Sequence, residues 1–307
     1  MSKNKIWTSP FWVCIFAVFC CLLWGSAFPG IKTGYRLFGI ESSDYASQIV
    51  FAGVRFFLAG ILALIIGSIG EGRILVPEKK SFLKIIILSL FQTSIQYYFF
   101  YTGLANTTGV RGAIIGGANV FIAIIIAALI FRQEKLTAEK TIACIIGFIG
   151  VWLVNTDGSP FKLNMNYGDI CMLISTVSYA ISSVLIKKYS AMHNPVMLSG
   201  YQFMVGGLTL TAAGIMLGGK IAYSGAASIQ ILLYLAFVSA AAYSLWGILL
   251  KHNPVSTVTV YSFSTPVFGA VLSSLFLEGE SAQLLNAKYL MALVLICVGI
   301  YIINRKK

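Results

Sequence analysis

Apolar residues fill this chain in long runs, and only brief polar stretches interrupt them. We read ten runs, at approximately 11–31, 46–69, 82–104, 109–131, 138–154, 168–186, 197–217, 230–250, 257–277 and 288–303. Each approaches the roughly 20 residues that a helix needs to cross the hydrocarbon layer of a bilayer. A spanning β-barrel would show short alternating segments instead. The pattern predicts an all-α integral membrane protein with ten transmembrane helices. The connections are short; the longest polar one, Glu71 to Lys80, holds no soluble domain. The first run, Phe11 to Ile31, is too long for a secretory signal, lacks a small-residue cleavage site and is followed by many similar runs.

Composition agrees with that pattern. Of 307 residues, 58% are hydrophobic and 10% charged, with a mean hydropathy of +0.86. A soluble domain carries about 25% charged residues, so a water-facing surface could not be built here. The six cysteines sit inside apolar runs without metal-ligand spacing, where they act as small hydrophobes. The net charge of +12 is scattered over loops, which argues against nucleic acid as a partner. No cofactor and no metal is expected.

Loop charge predicts orientation through the excess of lysine and arginine on the cytoplasmic side. With the N-terminus inside, that side holds Lys3, Lys5, Arg73, Lys79, Lys80, Lys84, Arg132, Lys135, Lys140, Lys187, Lys188, Lys251, Arg305, Lys306 and Lys307. The other side holds Lys32, Arg36, Arg111, Lys162, Lys220 and Lys288, and Arg55 lies within a span. Both termini are therefore expected in the cytoplasm. Few acids and lysine-rich ends fit a bacterial plasma membrane.

The chain also repeats itself. Gly150-Val-Trp-Leu-Val-Asn155 and Gly299-Ile-Tyr-Ile-Ile-Asn304 close two halves. Trp24 precedes Lys32 as Tyr179 precedes Lys187, and Arg55-Phe-Phe-Leu-Ala-Gly60 matches Gln202-Phe-Met-Val-Gly-Gly207. Tyr97 corresponds to Tyr243, and Glu134 to Glu280. An odd number of spans per half makes the halves inverted copies, an arrangement that places a binding site between them near the membrane midplane.

With those residues in view, the chain resembles the drug/metabolite transporter superfamily, specifically a protein of two EamA domains. The carriers are Trp24-Gly-Ser-Ala-Phe-Pro29, Arg55-Phe56, the Pro266-Val-Phe268 segment ending at Glu280, and the closing glycine-rich helices. The resemblance runs from about residue 12 to 304, with one repeat at 12–155 and the other at 168–304. It departs from the pattern at Asn119-Val120, where the second half has Thr265-Pro266. It implies a ten-helix bundle whose inverted halves enclose a central cavity and move small metabolites, often exporting amino acids or related compounds.

Candidate contacts for such a solute are Trp24, Gln96, Tyr97, Asn119, Tyr179 and Ser183, together with Tyr243, Trp246, Tyr261 and Thr265. The spacing of Gln92 and Gln96 places both amides on one stripe of a regular helix, facing protein or a cavity rather than lipid. Arg55 is a further candidate. Buried arginine is costly in a membrane, so Arg55 either stacks on aromatics and bonds helix-end carbonyls or meets a substrate carboxylate. No acid lies at its depth. Glu134 and Glu280 are expected to cap or position the helix that follows each. Asp169 and Glu280 are the carboxylates that could face a water-filled vestibule if a proton were coupled to transport. Pro29 and Pro266 each remove a backbone hydrogen bond, and Gly112 to Gly117 offers a small-residue stripe for packing the halves together.

The function expected is a secondary transporter or facilitator in the plasma membrane that exports small metabolites, possible amino acids among them, by alternating access. The partners expected are a small-molecule substrate and the lipid bilayer, with the chain monomeric. A channel-like pore and a proton-coupled multidrug or metabolite antiporter are the alternatives. No phosphate-binding loop is present to use ATP directly. No clustered nucleophile, metal set or paired acid supports an enzyme.

Overall fold

A computed structural model describes residues 3–41, 43–107, 115–155, 165–222, 224–276 and 287–305. Among them the chain is helical without a strand. The helices are α1 (Lys3–Thr8), α2 (Pro10–Phe38), α3 (Tyr45–Glu71), α4 (Phe82–Ser89), α5 (Gln96–Asn106), α6 (Asn119–Ile125) and α7 (Ala138–Asn155). The second half supplies α8 (Tyr167–Ser190), α9 (Pro195–Met216), α10 (Ala226–His252), α11 (Val255–Thr259), α12 (Ser264–Phe276) and α13 (Ala287–Asn304). Within the described residues the apolar runs read from the sequence fall largely in helix. Seven helical stretches are long and apolar enough to cross a membrane, and Ile115–Ile130 and Val294–Ile303 are shorter apolar helices. Large side chains such as Ile69, Leu83, Leu129, Ile130 and Phe276 stand exposed on the outside. Water would penalise that surface, whereas lipid accepts it, so this is a membrane protein.

Polar residues set the helix ends. Asp44 Oδ1 accepts from Ser47 N at 3.0 Å to start α3, and Asn194 accepts from Val196 N and Met197 N ahead of α9. Asn166 and Asp169 form a reciprocal capping box on α8. Three spans change pitch internally. The third is α4, a π segment Leu90–Ile95 and then α5; the fourth passes from α6 into a π segment Ile126–Ile130. The ninth runs from α11 through a 3-10 turn Val260–Phe263 into α12. Pro266 falls in the first turn of α12, where a missing N–H costs little. The pitch change precedes it.

The packing exchanges the two halves. α3 lies along α9, and α7 along α13. α2 packs on α10 and α12, while its repeat partner α8 packs on α5 and α6. The α3–α9 contact is a reciprocal glycine zipper. A Cβ on Gly53 would come within 2.5 Å of Thr211 N and 2.8 Å of Gly207 O. A Cβ on Gly60 would meet Gly200 O at 2.5 Å. Since Gly53 matches Gly200 and Gly60 matches Gly207, each contact is the repeat image of the other. Of the stripe expected to join the halves, Gly112 lies outside the described residues, and Gly116 has no neighbour within 4 Å of its Cβ position. Among the described residues the close approach is that of α3 and α9.

Candidate functional site

Where the halves meet, equivalent residues touch each other. The Phe56 and Phe203 rings stack with centroids 5.2 Å apart. The Tyr97 and Tyr243 hydroxyls share a hydrogen bond of 2.7 Å, and the two residues stand 146 positions apart. The flanking contacts repeat as well, Phe56 to Tyr97 at 4.3 Å and Phe203 to Tyr243 at 5.0 Å. Equivalent residues of the two halves meet here, and the α3–α9 glycine contacts are reciprocal, as a two-fold axis through the cluster requires.

Two polar pairs flank it. Thr93 Oγ1 donates to Gln202 Oε1 at 2.7 Å, linking the third span to α9. Arg55 donates to Ser239 Oγ from Nε at 3.2 Å and from Nη2 at 2.8 Å, linking α3 to α10. Thr93 corresponds to Ser239 and Gln202 to Arg55, so the pairs are also images of one another. Only one carries charge. Arg55 is 3% exposed, stacks over Phe56 at 5.0 Å and bonds no helix-end carbonyl.

The other candidates distribute unevenly around this centre. Trp24 meets Tyr243 at 5.1 Å and Trp246 at 4.9 Å, edge-on in both cases. Tyr179 packs with the same cluster, and Ser183, buried, donates to the Tyr179 carbonyl at 3.1 Å. Gln96 lies beside Tyr243. Polar atoms here lack hydrogen-bond partners among the described residues: Trp24 Nε1, Gln96 Oε1, Trp246 Nε1 and Gln202 Nε2. Tyr261 belongs to the neighbouring apolar cluster, tied to α2 through Cys21 Sγ, which donates to its carbonyl at 3.2 Å. Thr265 lies in the first turn of the adjoining α12, beside Cys21, and Asn119 heads α6.

The central rings are in mutual contact. Two clefts lie on the flanks, one of about 360 Å³ beside Val294, Cys297, Val298 and Tyr301, the other of about 250 Å³ beside Ser94, Tyr98 and Thr209. Gln92 is buried and Gln96 half-buried, and each has a buried Oε1 without a partner among the described residues, so both amides face protein across the π segment.

Sequence reasoning missed Phe56, Phe203, Ser239, Thr93, Tyr35 and Tyr101. The signal for the first four was the repeat register itself, since pairs that coincide under duplication are pairs that can meet on an axis.

Away from the centre, Glu134 joins the halves rather than capping only its own following helix. It accepts from Lys140 Nζ at 2.8 Å, and also from Ser256 N at 3.1 Å and Ser256 Oγ at 2.6 Å at the start of α11. A carboxylate suits a helix N-terminus by charge and by hydrogen bonding. Lys187 Nζ caps the end of α10 on the carbonyls of Leu250, at 3.1 Å, and Asn253. Glu280, the counterpart of Glu134, lies outside the described residues.

Asp169 is fully buried but committed to structure, accepting from Thr107 Oγ1 at 2.5 Å and Asn166 N at 3.1 Å. In the connection after α8, His193 Nε2 is 2.7 Å from Lys84 Nζ. Burial and the adjacent ammonium hold its imidazole below the usual histidine range, so the neutral ring accepts. Among the described residues no three His, Cys, Asp or Glu side chains converge.

Known proteins share this architecture. The sequence profile of the EamA-like transporter family matches residues 11–156 and again 166–305. An uncharacterized transporter of Archaeoglobus fulgidus is 28% identical over 289 residues, covering 92% of this chain and 95% of its own. The uncharacterized transporter YyaM of Bacillus subtilis is 25% identical over 83% of this chain and 85% of its own. A crystallised protein of 15% identity superposes with a TM-score of 0.75, covering 94% of this chain and 95% of its own, a likeness of fold.

Proposed function

Because the chain belongs to the EamA-like transporter family, and is therefore a membrane transporter rather than an enzyme by its kinship, we propose that it is a secondary carrier. It exports small metabolites across a bacterial plasma membrane by alternating access, as a monomer with both termini in the cytoplasm. In this reading ten helices form two inverted five-helix halves, 12–155 and 168–304. The solute sits between them against Trp24, Tyr97, Tyr179, Tyr243 and Trp246.

One observation carries the proposal: Tyr97 and Tyr243 bond each other across the axis at 2.7 Å. A site on the axis sees both halves equally, so rocking one half against the other opens it to alternate sides without moving it. The rings now in mutual contact would part to admit the solute, and the unpartnered Trp24 Nε1, Gln96 Oε1 and Trp246 Nε1 would find partners on it. A buried polar atom without a partner is costly, so a ligand that satisfies several gains affinity.

The test is uptake and counterflow of a labelled amino-acid panel in proteoliposomes, with and without an imposed pH gradient. Saturable counterflow independent of the gradient supports a carrier that is not proton-coupled. Accumulation driven by the gradient would replace that reading with a proton antiporter. Unsaturable flux without counterflow would replace it with a pore.

A further inference from the structure

We infer that Arg55 is the contact for a single carboxylate on the transported molecule, an inference that rests on the carrier reading above. Arg55 is the eleventh residue of α3, about 15 Å along the helix from its start. That places it near the middle of a hydrocarbon layer about 30 Å thick. A guanidinium is always charged and offers five N–H donors. Here both of its hydrogen bonds end on one neutral oxygen, Ser239 Oγ, which leaves Nη1 without an acceptor among the described residues.

The surroundings supply no counter-charge. Arg55 is the one lysine or arginine that is buried among the described residues. The buried Asp169 is occupied at the start of α8 by Thr107 and Asn166. Around Arg55 stand Tyr35, Tyr97 and Tyr101, close enough to feel its charge. The hydroxyls of Tyr35 and Tyr101 are buried and face each other beside it. A buried cation with spare donors, held only by a neutral hydroxyl and ringed by tyrosines, is complementary to an oxyanion.

The repeat argues in the same direction. The equivalent place in the other half holds Gln202, which pairs with Thr93 through one neutral hydrogen bond. An amide thus suffices to join these helices, and the charge at Arg55 exceeds what packing needs. One positive charge matches a monoanion; a phosphate dianion would leave charge uncompensated in a setting of low dielectric. The class is therefore a monocarboxylate.

The purified full chain in detergent is to be titrated at constant ionic strength with sodium acetate, following the midpoint of thermal unfolding. Acetamide serves as the neutral isostere and inorganic phosphate as the competing oxyanion. A ligand of the native state raises the midpoint with concentration. Acetate is expected to stabilise saturably and acetamide not to. Arg55→Gln should weaken the acetate response about tenfold or more, as loss of a charge-assisted bond requires. Ser239→Ala keeps the charge and removes its competitor, so the acetate response should persist or strengthen. Equal responses to acetate and acetamide, an undiminished response in Arg55→Gln, or its loss in Ser239→Ala would each overturn the proposal. Phosphate binding tighter than acetate would overturn the monocarboxylate class. If counterflow fails while the acetate response stands, the carrier reading falls and the anion site remains; the opposite outcome removes the site alone.

Discussion

The first half sets Arg55 against Ser239 of the second, and the second half sets Gln202 against Thr93 of the first. Position, hydroxyl partner and helix pair are shared between these contacts; charge is not. The glycines of α3 and α9 behave differently, since Gly53 faces Gly207 and Gly60 faces Gly200 in both copies. The contrast has a physical cause. Backbone contact at the axis admits no side chain in either copy, so both must stay small. A polar side chain beside the axis meets its own separate partner, so one copy can change without the other. Duplication thus holds the frame symmetric while allowing a single charged position within it. The third span departs further, with its π segment Leu90–Ile95 opposite the unbroken α10.

The largest effect should come from breaking the shared frame. Gly53→Ala would drive a Cβ to 2.5 Å from Thr211 N, a backbone atom that cannot rotate away. Forced separation of packed elements costs about 3 kcal/mol at the upper end of overpacking. Gly200→Ala, its repeat image, should lower the unfolding midpoint less. Its Cβ would meet the Leu64 side chain at 2.5 Å and backbone only at Gly60 O, 3.2 Å away. A loss as large as that of Gly53→Ala would contradict this difference. Next comes Gln202→Arg, which duplicates the charge without a new counter-ion. On insertion scales a central arginine costs about 2.5–3.5 kcal/mol. A stable, functional variant would show that the asymmetry at this position is incidental.

Glu134→Gln removes the ion pair to Lys140 and weakens the cap on α11. We expect a loss of about 1–2 kcal/mol, read by thermal unfolding. Tyr97→Phe and Tyr243→Phe should each cost about 1 kcal/mol by deleting one shared bond. The double variant should cost little more than either single one, and full additivity would place the two hydroxyls apart.

The smallest effect concerns pH. His193 is held below the ordinary imidazole value of 6.5 by burial first and by Lys84 second, with Glu78 opposing. The unfolded chain therefore takes up this proton before the folded one does. Stability is full above that value and falls on acidification below it, as the Lys84 contact is lost. His193→Gln should flatten that part of the profile between about pH 8 and pH 5.

Much of the frame was legible in the residues. Within the described residues the apolar runs fall in helices, because a backbone in lipid must satisfy its own hydrogen bonds. The pairing of Tyr97 with Tyr243 and of Glu134 with Glu280 gave the repeat register, from which the axis contacts follow. The pitch changes were not legible: no residue type in Leu90–Ile95 marks a π turn, and the segment lies against α8 and α9.

By itself the sequence determined that this is a helical membrane protein, duplicated, with one arginine placed deep in a span. Apolar length and composition settle those matters residue by residue. Only the tertiary structure decided that Arg55 meets Ser239, that Glu134 reaches across to α11, and that Gly53 and Gly60 rather than Gly116 carry the close approach of the halves. Those outcomes depend on which helices become neighbours and how they are rotated. In a membrane every helix is apolar enough to face lipid, so hydropathy leaves that choice open and close packing makes it.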